Sequence, residues 1–321
     1  MRLTVWIILF LSVLGPGALL ANEPADPTAP RWGFVASRSS GTTQYTLSEE
    51  FEHPFHPGTL SDVQSEFEFP LDVVLIGFTA AWDLATRTSR RWGGAVRIST
   101  NVTDPSKKAT KGSQIENHRV GYRESVAELS MIVSTVDVSF RLTEGERSTL
   151  SLLFHYDYQN IRHRLTEFDG WYYDPFWQNG ANASGEEPVI EYAIYYASPQ
   201  IGAAGAFCPN EFSRLALQAS VGAVYASCTD NHFLLGRYSQ GSGWGLGLNS
   251  RASIDLLPGF VKLDWLWAGL TLELFYFHTE GETDRRWYTD TYLPAGTEIN
   301  NIPHETESFQ AHIGVSVGAS F

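Results

Sequence analysis

Lysine is almost missing from this chain: Lys107, Lys108, Lys111 and Lys262 are the only four in 321 residues. With 22 basic against 36 acidic side chains the formal charge is −14, which argues against a nucleic-acid surface, since phosphate contacts need a basic face. Long apolar runs are scarce as well. Leu3 to Leu14 is one, preceded by Arg2 and followed by Gly15-Pro16-Gly17 and Ala18-Leu19-Leu20-Ala21. At about a dozen residues it is too short to span a bilayer, and the order of charge, apolar core and small residues reads as a secretory signal peptide cut after Ala21. No later segment approaches the roughly eighteen apolar residues of a transmembrane helix. Cysteine is limited to Cys208 and Cys228. They fall at opposite ends of one expected strand, tens of ångströms apart at about 3.3 Å per residue, so they are not expected to pair. No Gly-rich phosphate cradle, nucleophilic Ser or Cys arrangement or dinucleotide fingerprint occurs in a suitable context, and no metal ligand set completes His53 and His56.

What is present is alternation. From Phe309 to Phe321 every second residue is apolar (Phe309, Ala311, Ile313, Val315, Val317, Ala319, Phe321), with Gln, His, Gly or Ser between. Such a strand has one lipid-compatible face and one small polar face, as a barrel wall requires, and it ends on an aromatic residue. Val126 to Leu142 repeats the pattern: Ile132, Val136, Val138 and Phe140 on one side, Thr135, Asp137, Ser139 and Arg141 on the other. Ten such segments are expected, near 31–46, 65–82, 91–101, 125–142, 148–167, 188–207, 211–228, 241–256, 261–278 and 305–321. Tight connections at Thr143 to Glu146, Cys208 to Glu211 and Leu257 to Gly259 alternate with long ones at 47–64, 102–124, 168–187, 229–240 and 279–304. Short turns on one side and long loops on the other are the habit of outer-membrane barrels.

Aromatics at 13%, ten Trp among them, suit girdles at two membrane interfaces, and a mean hydropathy of −0.16 is compatible with membrane residence only through a closed barrel. The expected fold is all-β: a closed antiparallel transmembrane β-barrel of about ten strands, with short periplasmic turns and long extracellular loops. The expected organisation is a signal peptide over 1–21 and a single barrel domain over 22–321, in the bacterial outer membrane, acting as a monomer. Its lumen should be filled by side chains, which excludes a general diffusion pore. His155 and Asp157 should belong to that polar filling. The aromatic stretch Gly170-Trp171-Tyr172-Tyr173-Asp174-Pro175-Phe176-Trp177 reads either as part of the outer girdle or as a surface for sugars, peptides or protein partners.

Four short motifs, in order and spacing, carry a resemblance: Trp82-Asp83-Leu84, Tyr158-Gln159 with Arg162, Pro199-Gln200-Ile201-Gly202, and Asp230-Asn231-His232. With them the chain resembles the omptins, ten-stranded outer-membrane proteases with an active site at the extracellular mouth. The resemblance implies a His-Asp couple on one wall, facing two aspartates that help hold the attacking water. Asp230 and His232 match the couple; two apart on an extended segment, they point the same way, His232 as general base and Asp230 as its orienter. On the opposite wall the chain reads Gly112-Ser113-Gln114-Ile115-Glu116-Asn117-His118, so Glu116 keeps one carboxylate and His118 replaces the other.

The acidic pocket that selects basic side chains in the family corresponds here to Gln44 and Cys228, which removes the basis for a Lys or Arg preference. Tyr158 and Arg162 match the family's lipopolysaccharide contacts, with Asn160 and Tyr195 where charged members would fall. The expectations are therefore an endopeptidase with an altered site, using no cofactor beyond lipopolysaccharide as an activating lipid, or an inactive barrel whose loops bind a peptide or cell-surface protein.

Overall fold

A computed structural model describes residues 30–320 apart from 53–59, 87–88, 116–117, 173–188, 258–262, 264 and 291–293. The signal peptide expected over 1–21, Phe321 and most of the aromatic stretch 170–177 lie outside the described residues. Twelve antiparallel strands make one closed sheet: β1 (Arg31–Glu52), β2 (Leu60–Pro70), β3 (Val74–Thr86), β4 (Ser89–Asn101), β5 (Ala109–Ile115), β6 (His118–Glu144), β7 (Ser148–Tyr172), β8 (Ile190–Asn210), β9 (Ser213–His232), β10 (Arg237–Leu256), β11 (Leu266–Trp287) and β12 (Glu298–Ser320). The ring has ten walls, because four of these segments are two interrupted strands. β2 and β3 follow one register along β1, from Glu52 opposite Leu60 to Arg31 opposite Ala81, broken only at 71–73. Likewise β4 and β5 both run along β6, with 102–108 looping out between them. The chain closes where β12 pairs with β1, Arg31 opposite Ser320 and Leu47 opposite His304.

At each interruption side chains take over from the ladder. The Asn101 amide donates to the Leu129 carbonyl at 2.6 Å and its oxygen accepts from the Met131 N–H at 2.7 Å, while Asp104 accepts from the Leu129 N–H at 2.9 Å. Backbone groups that would otherwise be orphaned beside the looped-out segment are thus satisfied. On β1 the break falls at Gly41, whose φ is +138°; a Cβ there would lie 2.0 Å from the Phe309 carbonyl oxygen, so only glycine fits.

The two faces separate as the alternation requires. Outward positions include Ile98, Ile132, Val136, Val138, Leu217, Leu246, Leu272, Ile313 and Val315, all exposed large apolar side chains. This belt is bounded above by Tyr195, Tyr225 and Trp244, with ring centroids 5.9 and 5.0 Å apart in sequence round the wall. Trp32 with Phe78, and Trp92 with Phe140, mark the lower border. Along β9 the apolar outward stretch runs from Leu215 to Tyr225, about the 9 to 11 residues that a tilted strand needs to cross. Above it the outward residues turn polar, as at Ser227, Thr229 and Asn231.

The expected long loops are in large part further strand. β1 continues to Glu52, β9 to His232, β11 to Trp287, and β5 with the start of β6 forms a hairpin within 102–124. Beyond the membrane the outward face is wetted, so the apolar alternation stops, yet ladder hydrogen bonds still hold the chain extended. The tight turns occur where expected, after Glu144 and after Asn210, at the end that also holds Arg31 and Ser320. Both cysteines are free thiols.

The lumen at membrane level is packed with ions. Arg251 donates to Asp137 at 2.8 Å and to Glu273 at 2.6 and 3.0 Å; Glu273 is also paired with Arg97. His155 bonds Asp137 through Nδ1 at 2.5 Å and meets Asp157 through Nε2 at 2.8 Å, which places both where the sequence expected them. Gln200, Ser220 and Ser198 extend the network sideways. Buried charges tolerate such a site only when paired.

Candidate site at the extracellular mouth

Above the ionic layer the inward face becomes aromatic. Alternate residues of β1 (Tyr45, Leu47), β2 (Phe67, Phe69), β8 (Tyr192, Tyr196) and β11 (Phe275, Phe277) turn inward and form one buried cluster. Phe69 stacks on Tyr192 at 4.5 Å and on His163 at 4.8 Å; Tyr45 packs on Tyr192 at 5.2 Å. The upper end of β9 adds three inward polar residues to this cluster, Cys228, Asp230 and His232, spaced by two as the strand period dictates.

Asp230 and His232 do come together: Nε2 of the imidazole lies 3.2 Å from Oδ2 of the carboxylate. The contact misses hydrogen-bond alignment, and neither carboxylate oxygen has an aligned hydrogen-bond donor among the described residues. A short 3-10 turn, Phe233–Leu235, follows directly and is closed by Gly236 at φ +55°. It returns the chain as β10 and sets Arg237 opposite His232 in the ladder.

His232 is only 3% exposed. Its ring and that of Phe67 meet edge to face with centroids 5.8 Å apart, and the Lys111 side-chain nitrogen sits 4.5 Å from the Phe67 centroid. Lys111 belongs to β5, where it is paired with Phe67 of β2, so His232 and Lys111 contact the same ring. Burial pushes the His232 pKa down to about 3; the positive charges of Lys111 and Arg237 act in the same direction, and Asp230 opposes them. For Asp230 burial acts to raise the pKa, but His232, Arg237 and Lys111 outweigh it, and the carboxyl is held below its usual range. The couple is therefore a neutral imidazole beside a carboxylate at neutral pH, packed on the Phe67 ring with the Arg237 guanidinium nearby and with a Lys111 amine whose own pKa is pushed well below its usual value by burial and then by Arg237.

The other expected site residues divide. Glu116 lies outside the described residues, and so does the side chain of His118, whose backbone opens β6 opposite Ile115. Cys228 is inward and 2% exposed, but Gln44 is not beside it. Gln44 falls between the inward Thr43 and Tyr45 and takes the outward face, between Glu68 and Glu307 of the flanking strands. The two do not form one pocket; period two sends Gln44 outside, and Tyr45 is the β1 residue that reaches the cluster. Tyr158 and Arg162 are both on the outward face of β7, Arg162 paired with Glu191, beside an open groove of about 520 Å³ that Arg164, Glu128 and Asp104 also line.

Lys111, Phe67, Tyr45, Arg237 and His304 were not singled out from sequence. His304 had a signal in the alternation His304, Thr306, Ser308, Gln310, His312 on β12, all five buried. Lys111 stood out only as one of four lysines.

A closed ten-walled barrel with an apolar outer belt, aromatic borders and an ion-filled lumen is an outer-membrane β-barrel of omptin fold. Its structure is similar to that of the outer membrane protease OmpT from Escherichia coli, with a TM-score of 0.69 at 13% identity, over 94% of this chain and 99% of that one. The translocator domain of the autotransporter NalP from Neisseria meningitidis and the Ail protein of Yersinia pestis also align, at TM-scores of 0.28 and 0.23 and identities of 12% and 10%. The alignments cover 99% and 89% of this chain and 96% and 98% of theirs. No protein-family model and no curated protein sequence matches the chain. At such identity the likeness to OmpT establishes the fold and leaves the chemistry to the site.

Proposed function

We propose that this barrel does not hydrolyse peptides and serves at the cell surface as a binding protein, through the strands and loops that project above the outer girdle. The observation that carries this reading is the enclosure of His232. A general base must reach its water within about 2.6–3.2 Å while the substrate carbonyl reaches the same water. Here the imidazole is buried against Phe67, and the polar side chain that lies over that ring is the Lys111 amine, where hydrolysis by the omptin scheme wants carboxylates. A base whose pKa is about 3 is also too weak to draw a proton from water efficiently at neutral pH.

The outward wall of β1, β2, β11 and β12 above the girdle carries Glu66, Glu68, Glu280, Glu282, Glu305 and Glu307, which favours partners with cationic segments. On the other side Tyr158 and Arg162 would contact lipopolysaccharide at the headgroup level.

The second reading, an endopeptidase with an altered site, is favoured by one observation, the 3.2 Å approach of Asp230 to His232. Refolded barrel supplied with lipopolysaccharide and a diverse peptide library decides between them, with His232→Ala alongside. No cleavage by the folded wild type is expected. Cuts that disappear in the variant would establish the protease and end the binding reading.

A further inference from the structure

Cys228 and His304 come from strands that are not neighbours, β9 and β12, and meet inside the mouth with Sγ 4.0 Å from Nε2. Both are buried, 2% and 4% exposed. A thiol is a weak donor, and 4.0 Å is a loose contact for one. It is, however, close to the span that one metal ion on the line between the two atoms requires: even the thiolate and imidazole bonds of Zn2+, about 2.3 and 2.0 Å, add to about 4.3 Å, and a two-coordinate d10 ion needs a span of the same order. The surroundings carry unused polar capacity. The Tyr45 side chain, 1% exposed, has its ring 5.7 Å from that of His304 and its hydroxyl beside the Cys228 thiol, and Asp230, the next inward residue of β9, has no aligned hydrogen-bond donor among the described residues. Cys208, on the last turn of β8 at the short-turn end, cannot reach this thiol.

We propose that Cys228 Sγ and His304 Nε2 form a two-coordinate site for one soft monovalent d10 cation, Cu(I) or Ag(I). Thiolate selects soft ions, and imidazole completes a linear pair. Among the described residues no group of three or more ligands gathers, so a tetrahedral Zn2+ site is not offered. On binding, the S–H bond breaks, sulfur bonds the metal and the proton leaves to solvent, while neutral His304 donates its Nε2 lone pair; no electron is exchanged. One proton is released per ion as the thiol becomes a thiolate, so affinity should rise with pH, by up to about tenfold per pH unit.

The test uses the refolded, full-length exported barrel and silver nitrate in chloride-free buffer. Stoichiometry is read by native mass spectrometry and affinity by calorimetry. All barrels carry Cys208→Ser, because that half-buried free thiol would take silver by itself. Expected are one Ag+ per Cys208→Ser barrel, none when Cys228→Ser is added, and at least tenfold weaker binding when His304→Gln is added. Silver that remains after Cys228→Ser, affinity unchanged by His304→Gln, or a Cys208→Ser barrel that takes up none overturns the site. Should the added variants fail to fold, bound Ag+ must protect Cys228 of the Cys208→Ser barrel from a thiol reagent, and equal labelling with and without silver would refute the proposal.

Discussion

At the level of Asp137 the lumen is filled by a connected set of ion pairs, whereas eight to ten residues higher, at the level of Asp230, it is filled mainly by rings around a single His-Asp couple. Arg251 holds Asp137 and Glu273 together from three strands, and His155 bridges Asp137 to Asp157. In the mouth, Asp230 has its imidazole neighbour at 3.2 Å and no aligned donor, His163 has neither ring nitrogen bonded, and Tyr192 keeps a hydroxyl without a partner. The lower layer sits within the membrane belt, where an uncompensated charge has no water to turn to. The upper layer stands clear of lipid, and orphaned groups there mark the place where binding can still repay desolvation.

The contrast is most severely tested by Arg251→Met. Two buried carboxylates would lose their shared cation, and a loss of about 3–5 kcal/mol is expected in urea unfolding of the refolded barrel. A loss below about 1 kcal/mol would mean that the ionic layer is ornament to a fold held by its ladder. Next in size is the outer face: Ile313→Arg, near the middle of the belt on β12, should cost about 2–4 kcal/mol, measured the same way in lipid. An unchanged stability there would misplace the belt.

Acid separates the two layers. His163 and His232 are buried and neutral, their pKa values both lowered to about 3, by burial alone for His163 and mainly by burial for His232. Their unfolded forms protonate near pH 6.5 and their folded forms resist, so stability is complete above that pH and falls between about 6.5 and 3, by at most about 1.4 kcal/mol per pH unit per imidazole. Hydrogen-exchange protection at the tops of β7 and β9, taken relative to the intrinsic exchange rate at each pH, should fall from pH 7 to pH 5. His163→Phe should remove part of that fall; pH-independent protection of the mouth would contradict the buried neutral state.

The smallest effect expected is that of Lys111→Met. Removing this amine should raise the His232 pKa, by a fraction of a unit up to about one unit, and change stability by about 1 kcal/mol or less. The shift is read by NMR titration of the His232 ring. A fall in its pKa would show that Lys111 does not face the couple.

Much of this molecule was legible because a transmembrane barrel writes its two faces into alternate residues. Ile132 to Arg141 and Phe309 onward declare lipid and lumen directly, and the ten walls follow from counting such stretches. Asp230 and His232 were legible for the same reason, since residues two apart on a strand share a face. Above the membrane that signal ends, and the projecting strands were read as loops because both their faces carry polar residues. Gln44 was placed from resemblance, and one step of register sends it to the outside.

The sequence by itself therefore determined the class of fold, the sidedness of each wall and the pairing of near neighbours such as Asp230 with His232, because strand period is a local property of the chain. Only the closed ring decided that Lys111 and His232 would meet the same Phe67 ring and that Cys228 would meet His304. These partners are separated by 76 or more residues, and nothing local encodes which strands face one another across a lumen until the last wall pairs with the first.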